Sequence, residues 1–536
     1  MASSTRYSPP ARSDGFGRDR LDAPVQSKGA LEAPKSSRWT LIATILASSM
    51  TFIDGTVVNV ALPALQAELN ATITDVQWVV EAYALFLGAL ILVGGAMGDQ
   101  LGRKRVFIFG VVSFTAASIL CGVAPSPRLL IIARALQGIG AAFLVPGSLA
   151  IISAAFSDAE RGRAIGTWSG FSAITTAIGP VVGGWLIDNV SWRAAFFVNV
   201  PRAVIVLVLS LRFIEESRDP SRTKRIDWLG ALLAVIGLGG VVFGLLEWPR
   251  LGPAHALVIG SLAIGAVCLA LLVIVERRAQ NPMLPLDLFR SRTFTLANVL
   301  TLLLYGALGV IFFLLPLYLI QVQHYSATAA GAALVPFAVI MFALSRWAGG
   351  LVARVGARLP LTVGPVIAAV GVVLFARGGA DASYWTTVFP AVCLLGLGMT
   401  ITVAPLTTTV MGAVDSHRAG VASGINNTVA RVAGLLTIAV FGVLLANRFN
   451  AEVGLRLDQI EVPAAVRAEI DKELPKMAGA ELNNVPVEAR QRAAVQRSID
   501  EAFVSGYRVV MLGSAILALA AAGFGAAIRD RRRANS

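Results

Sequence analysis

Three ionisable residues stand inside apolar runs where a charge is expensive: Asp54 in "TFIDGTVVNVALP", Glu81 in "VQWVVEAYALFLGAL" and Arg134 in "IIARALQGIGAAFLVPGSLAII". A lone charge at bilayer depth costs several kcal/mol, so such groups pair with one another or face an aqueous cavity. Two carboxylates beside one guanidinium would let proton uptake by either acid weaken its attraction to the arginine, which is chemistry for coupling a proton to a change of shape. The competing reading is a static ion pair that holds helices together. Glu81, beside Trp78, has a further alternative, that of reaching the membrane interface.

The elements that must position these residues follow from composition. Of 536 residues, 56% are hydrophobic and 14% charged, and the mean hydropathy is +0.72, outside the range of soluble domains. Membrane-length runs of roughly 20 residues recur along the chain, so one cleaved signal peptide cannot account for them. The runs predict about fourteen helices, near 39–61, 77–97, 106–124, 128–151, 164–186, 194–213, 228–247, 255–275, 294–320, 327–352, 359–377, 385–408, 419–446 and 506–528. Arg134 then lies roughly 9 Å inside the fourth span at 1.5 Å per residue; Asp54 on the first is at similar depth, and Glu81 on the second slightly nearer the outside. A buried cluster of Asp54, Glu81 and Arg134 is the expectation.

Net charge of +13 suggests nucleic acid at first sight, but the basic residues sit in alternate short loops with no interleaved aromatic patch. They include Arg103, Lys104 and Arg105, then Arg161 and Arg163, then Arg212, Arg218, Arg222, Lys224 and Arg225, and later Arg418. The positive-inside rule places those loops and both termini in the cytoplasm. Residues 1–38 and 529–536 read as cytoplasmic tails, the first disordered. Residues 447–505 carry charges of both signs and helical pieces, and read as an extracytoplasmic loop or hairpin, the candidate docking point for a periplasmic partner. Cys121, Cys268 and Cys393 lie in apolar runs and act as small hydrophobes rather than as disulfide or metal ligands.

The chain also repeats itself. "GAMGDQLGRK" (95–104) is echoed by "GGLVARVGAR" (349–358) and "DAERGRAIG" (158–166) by "DSHRAGVASG" (415–424), each about 255 residues later. Two six-helix halves, 39–213 and 294–528, are therefore separated by a connector, 214–293, carrying two extra spans. Parallel halves of this kind put a binding site between them near the midplane. Asp99 meets Ala353 in the echo, and Asp54 and Arg134 meet Gly309 and Phe389, so the intramembrane charges belong mainly to the first half. That half is expected to handle protons, and the other to shape a substrate cavity with Asn426, Asn427 and Arg431.

In "GAMGDQLGRKR", Gly98 and Gly102 permit close approach and a tight turn, while Arg103 and Lys104 hold the loop in the cytoplasm. The bland alternative is a plain basic loop, which needs neither Asp99 nor the glycines. In "GFSAITTAIGPVVGGWL", Gly170, Gly179, Gly183 and Gly184 offer a small-residue face and Pro180 bends the helix; a generic packing seam explains it equally well. With "RALQGIGAAFLVPGS", "DGTVVNVALP" and "WRAAFFVNVP", these stretches resemble, in order and at suitable places, the motifs of the major facilitator superfamily, specifically its fourteen-span drug:proton antiporter branch.

That resemblance implies an all-α polytopic transporter that exports lipophilic or amphiphilic toxic compounds by alternating access, working as a monomer, with the proton gradient as energy source and no cofactor. It implies an inner gate of Gly98, Asp99, Gly102, Arg103 and Lys104, for which Arg161, Arg163 and Arg418 are candidate partners, and an antiporter motif at Gly170, Gly179, Pro180, Gly183 and Gly184. Family members that export multivalent cations carry acids in the second-half cavity; arginine here points to neutral or anionic amphiphiles. An exporter dedicated to one metabolite or lipid, and a sensor without flux, remain alternatives. An enzyme is not expected: the three histidines are isolated, there is no HExxH pair, and no phosphate-binding GxxxxGK[ST] loop exists for ATP.

Overall fold

In hydrocarbon a lone apolar segment satisfies its backbone donors and acceptors by becoming a helix. The computed structural model describes residues 35–218, 226–279, 282–415, 418–460, 463–482, 485 and 488–529. Most of the N-terminal tail, the C-terminal tail from 530, and Arg222, Lys224 and Arg225 lie outside the described residues.

Among the described residues, fourteen helices are long and apolar enough to cross a membrane. Spans 1 to 6 are Ser37–Leu69, Ile73–Leu101, Arg103–Gly122, Pro127–Ala155, Glu160–Asn189 and Ala194–Phe213; spans 7 and 8 are Trp228–Leu251 and Ala256–Arg278. Spans 9 to 14 are Arg292–Val322, Ala327–Gly349, Arg358–Phe375, Tyr384–Gly412, Gly420–Leu457 and Arg490–Ala526. An even number of crossings leaves both chain ends on one side, here called the terminal face; the opposite side is the far face.

Packing repeats with the sequence. Span 1 lies on spans 5 and 6, span 4 on spans 2 and 3, and span 3 on span 6; span 9 lies on spans 13 and 14, span 12 on spans 10 and 11, and span 11 on span 14. Adding eight to each number converts the first set into the second. The halves meet along two seams related in the same way, span 5 with span 10 and span 2 with span 13. Spans 7 and 8 pair with each other, and span 7 covers the second seam, where Leu238, Val242 and Leu246 pack with Leu85, Leu435 and Ala439. The connector is thus part of the inter-half packing.

The far face departs most from the expected boundaries. Span 13 runs on to Leu457 and span 14 starts at Arg490 rather than near 506. Span 13, at 38 residues, is roughly 57 Å long against a hydrocarbon core of about 30 Å, so it projects well beyond the bilayer. The region read as a loop is therefore two helix extensions bridged by the short helix Ala464–Glu473 and the turn Leu474–Gly479. Arg456 joins the extensions by binding Glu452 at 3.0 Å and also Glu501. Gln66 at the end of span 1 donates to the Lys476 carbonyl at 2.9 Å and accepts from Gln321 of span 9 at 2.8 Å, so the cap touches both halves.

Below the cap, Tyr507 stacks on Tyr318 with centroids 4.7 Å apart; both are buried, and the Tyr507 hydroxyl has no hydrogen-bond partner. Removing the ring leaves a cavity, whereas removing the hydroxyl removes an unsatisfied group. Tyr507→Ala is expected to cost about 3–5 kcal/mol and Tyr507→Phe nothing or less than nothing, read as shifts in thermal unfolding in detergent.

Candidate functional site

Arg134 is the hub of the buried polar network in the first half. It is 1% exposed, as is Asp54, and its Nη1 donates to Asp54 Oδ2 at 2.6 Å and to Gln137 Oε1 at 2.7 Å. Gln137 Nε2 donates to the other Asp54 oxygen at 2.7 Å, and Arg134 Nε donates to the Val79 carbonyl at 3.0 Å. The guanidinium lies over the Tyr83 ring, 4.2 Å from its centroid, with Phe196 at 5.9 Å. Spans 1, 2 and 4 are pinned at one point, and both carboxylate oxygens of Asp54 are engaged. Gln137 was missed in the sequence, although its place three residues after Arg134 puts it on the same helix face.

Glu81 does not join this cluster. It is fully buried, and neither carboxylate oxygen has a hydrogen-bond partner. Val79 and Tyr83, two residues to either side, are the residues that meet Arg134, and at 100° per residue Glu81 lies about 200° around the helix from each. It shares a face with Gln77, Leu85, Gly88 and Leu92, which abut Gly442, Leu435, Arg431 and Gly424 of span 13. Glu81 therefore lies at the seam between the halves, and full burial also removes the interfacial-anchor reading. The depth expected from the sequence was shared; the direction was not.

At the terminal face, Asp99 accepts from Arg103 Nη2 at 2.9 Å and Nε at 3.1 Å, one turn on. Arg103 also reaches the Ala150 carbonyl on span 4 at 3.4 Å. Of the three partners proposed for Asp99, Arg418 pairs with Asp287 at the end of the connector, Arg163 is exposed with no ion pair among the described residues, and Arg161 is partly buried. Gly98 is buried, but a Cβ there would meet nothing within 4 Å. The constraint falls on Gly102, whose φ of 113° a side chain would strain. Its turn exposes the first amides of span 3, and Glu216, absent from the sequence reading, accepts from Lys104 N at 3.1 Å and Arg105 N at 3.3 Å. Lys104 Nζ donates to the Leu211 carbonyl at 3.1 Å.

The glycine motif of span 5 divides in two. Gly170 has open space around it, while Gly179 and Gly183 take Thr56 and Val57 of span 1. Gly184 faces the Ala327 carbonyl of span 10, and Gly331 faces the Pro180 carbonyl, so backbones of opposite halves touch where any Cβ would collide. One turn further, Asp188 accepts from Ala327 N at 3.0 Å, Thr328 N at 2.8 Å and Thr328 Oγ1 at 2.5 Å. An acid on one half caps the first turn of a helix on the other, where free amides and the helix dipole favour a negative charge. This clasp closes the far face and was not foreseen.

In the second half, Asn426 Nδ2 donates to Asn298 Oδ1 at 3.1 Å and Thr301 Oγ1 at 2.7 Å, fastening span 13 to span 9. Its amide is thus committed to packing, whereas Asn427 is exposed. Arg431 is partly buried at the seam with span 2, and its Nε is buried without a partner.

Two outcomes follow from this geometry. Arg134→Ala and Asp54→Asn each leave one member of the buried pair without its counter-charge and are each expected to lower stability by about 3–5 kcal/mol, with the double variant costing less than the sum; thermal unfolding of the three variants checks this. Asp188→Ala is expected to shift the molecule away from the closed far face by at least about tenfold, seen as a longer distance between spin labels at Val190 and His324, with Asp188→Asn intermediate.

Comparison with known proteins agrees with this architecture. The chain is 36% identical over 480 residues to the multidrug resistance protein Stp of Mycobacterium tuberculosis, covering 88% of each chain. It is 35% identical over 430 residues to the puromycin resistance protein pur8 of Streptomyces alboniger, covering 78% of this chain and 84% of that one. Its fold matches an inward-facing, unoccupied bacterial homologue of the human lysosomal transporter Spinster with a TM-score of 0.64 at 16% identity, over 92% of this chain and 97% of that one. Residues 44–438 match the Major Facilitator Superfamily. With fourteen spans, two like-packed halves and a charged pair buried between helices of the first, this multi-pass membrane protein belongs to the major facilitator superfamily.

Proposed function

We propose that the protein exports lipophilic or amphiphilic toxic compounds across the bacterial cytoplasmic membrane in exchange for protons, by rocking its two halves about a midplane site. The observation that carries this reading is the contrast between two acids at bilayer depth: Asp54, compensated by Arg134 and Gln137, and Glu81, buried at the inter-half seam with no partner. Closing the far face leaves Asp54 paired with Arg134, while an anion at Glu81 would be uncompensated and a proton there removes the charge. Parting the seam hydrates Glu81 and lets it exchange that proton. Protonating Asp54 loosens its hold on Arg134, so proton traffic biases the two arrangements. The names of the relatives, multidrug resistance and puromycin resistance, support drug-like cargo.

In this reading the terminal face, with Arg103, Lys104, Arg105, Arg161 and Arg163, is cytoplasmic by the positive-inside rule. Asp99 and Arg103 belong to the inner gate, Pro180, Gly184 and Asp188 to the outer one. The cap lies outside the membrane, where a periplasmic partner would dock. The chain works as a monomer, drawing on the proton gradient with no cofactor. A relative named for puromycin alone favours the second reading, a dedicated exporter of one compound class.

Flux of neutral, anionic and cationic fluorescent amphiphiles in proteoliposomes under an imposed pH gradient separates these. Several unrelated compounds are expected to move, and Asp54→Asn and Glu81→Gln each to lose most gradient-driven flux while still binding cargo. Undiminished flux in both variants would remove these acids from coupling; flux of a single compound class would favour the dedicated exporter.

A further inference from the structure

Charge at bilayer depth is divided unequally between the halves. The first half holds Asp54 paired with Arg134, while its second acid, Glu81, lies on the seam seven residues, or roughly 10 Å along span 2, from the Gly88 position that meets Arg431. Spans 9 to 12 contain no Asp or Glu, and the acids of spans 13 and 14, Glu452, Asp500 and Glu501, all lie in the far-face extensions. Arg431 is eleven residues in from Gly420, roughly 16 Å along a helix that crosses a core of about 30 Å, which puts it near the midplane. The Arg418–Asp287 pair is at the terminal face and the Arg448 and Arg456 pairs are in the far-face extension, too far along the helix to serve it.

A guanidinium does not solve this by losing its proton, since it stays charged throughout the physiological range. Arg134 is compensated by a carboxylate, a side-chain amide, a carbonyl and a ring; Arg202 donates its Nε to the Val198 carbonyl at 3.1 Å and leaves Nη1 buried without a partner, but it lies in the half that holds Asp54. Arg431 has no ion pair among the described residues, and its Nε is buried with no acceptor. Its Cβ stands 3.7 Å from where a side chain on Gly88 of span 2 would begin, so the residue sits where the two halves face each other. Exposed Asn427, one turn earlier, lies on a neighbouring part of the same helix face. Lipid headgroups, about half a bilayer away, do not reach this depth.

We propose that Arg431 is the receptor for an anionic group on the cargo, so that the preferred substrates are amphiphiles bearing one carboxylate or phenolate, with Asn427 supplying a second polar contact. This rests on the export reading above and narrows its substrate class. The planar guanidinium fork matches a carboxylate with two parallel hydrogen bonds, and the cargo then provides the counter-charge that the protein lacks. An apolar body on the same molecule would lie against the leucine-rich part of the spans 2 and 13 seam around Leu85 and Leu435.

The test uses the full chain in lipid nanodiscs and three matched probes: 1-pyrenebutyrate, its methyl ester, and a pyrenebutyl trimethylammonium salt. Equilibrium binding to the wild type is expected to favour the carboxylate over the ester by about tenfold or more. Arg431→Gln is expected to reduce that ratio to near one with ester affinity unchanged, and Arg431→Lys to keep part of it. Equal binding of carboxylate and ester by the wild type, or an equal loss for all three probes in Arg431→Gln, would overturn the assignment. Should the glutamine variant unfold, the lysine variant decides the matter, because a preference as large as the wild type's would mean that the fork is not the receptor. Gradient-driven flux of the ester is measured in parallel: normal flux with no carboxylate preference overturns the receptor alone, whereas absent flux with the preference intact overturns export and leaves the anion site standing.

Discussion

Arg134 is held in the membrane by four different kinds of partner because hydrocarbon supplies none. One guanidinium binds an acid on span 1, a carbonyl and a ring on span 2, and an amide on its own span 4. Each bond restricts the same three helices, so none can slide without stranding a charge. That ties spans 1, 2 and 4 of the first half together at one point. Rocking between two arrangements requires stiff parts and soft seams, since packed interfaces switch between discrete states rather than deform continuously.

The two seams are related by the internal repeat yet are built from different physics. Between spans 5 and 10 the contact is backbone on backbone at Gly184 and Gly331, locked by the Asp188 cap. Between spans 2 and 13 the face carries Gln77, Glu81 and Arg431, and span 7 lies over it. A dry glycine contact is cheap to break cleanly and remake in one register; a seam with ionisable groups changes energy when its water or protons change. Span 7 of the inserted pair covers the second kind on its lipid-facing side, with span 8 packed behind it.

Much of this was legible in the residues. Membrane spans follow from run length because no other single-segment structure satisfies the backbone in lipid, and the two-half plan was visible in the echo of "GAMGDQLGRK" by "GGLVARVGAR". The Asp54–Arg134 pair followed from depth alone, since two opposite charges at one level of a small bundle have few other places to go. The error on Glu81 shows where depth stops being enough: Val79 and Tyr83 face Arg134, and a helix carries the residue between them to the opposite side. Helical phase was in the sequence, but which face met which neighbour was not.

Sequence by itself therefore determined the spans, their order and repetition, and the fact that charges at bilayer depth must be compensated, because these depend on hydropathy and on distance along one helix. Tertiary structure decided the partners. Asp99 met Arg103 one turn on, Arg418 met Asp287, Asn426 met span 9, and Asp188 met the amides of a helix more than a hundred residues away. Those choices depend on the rotation of each helix and the approach of backbones across the seams, quantities set by packing many side chains at once and carried by no single stretch of the chain.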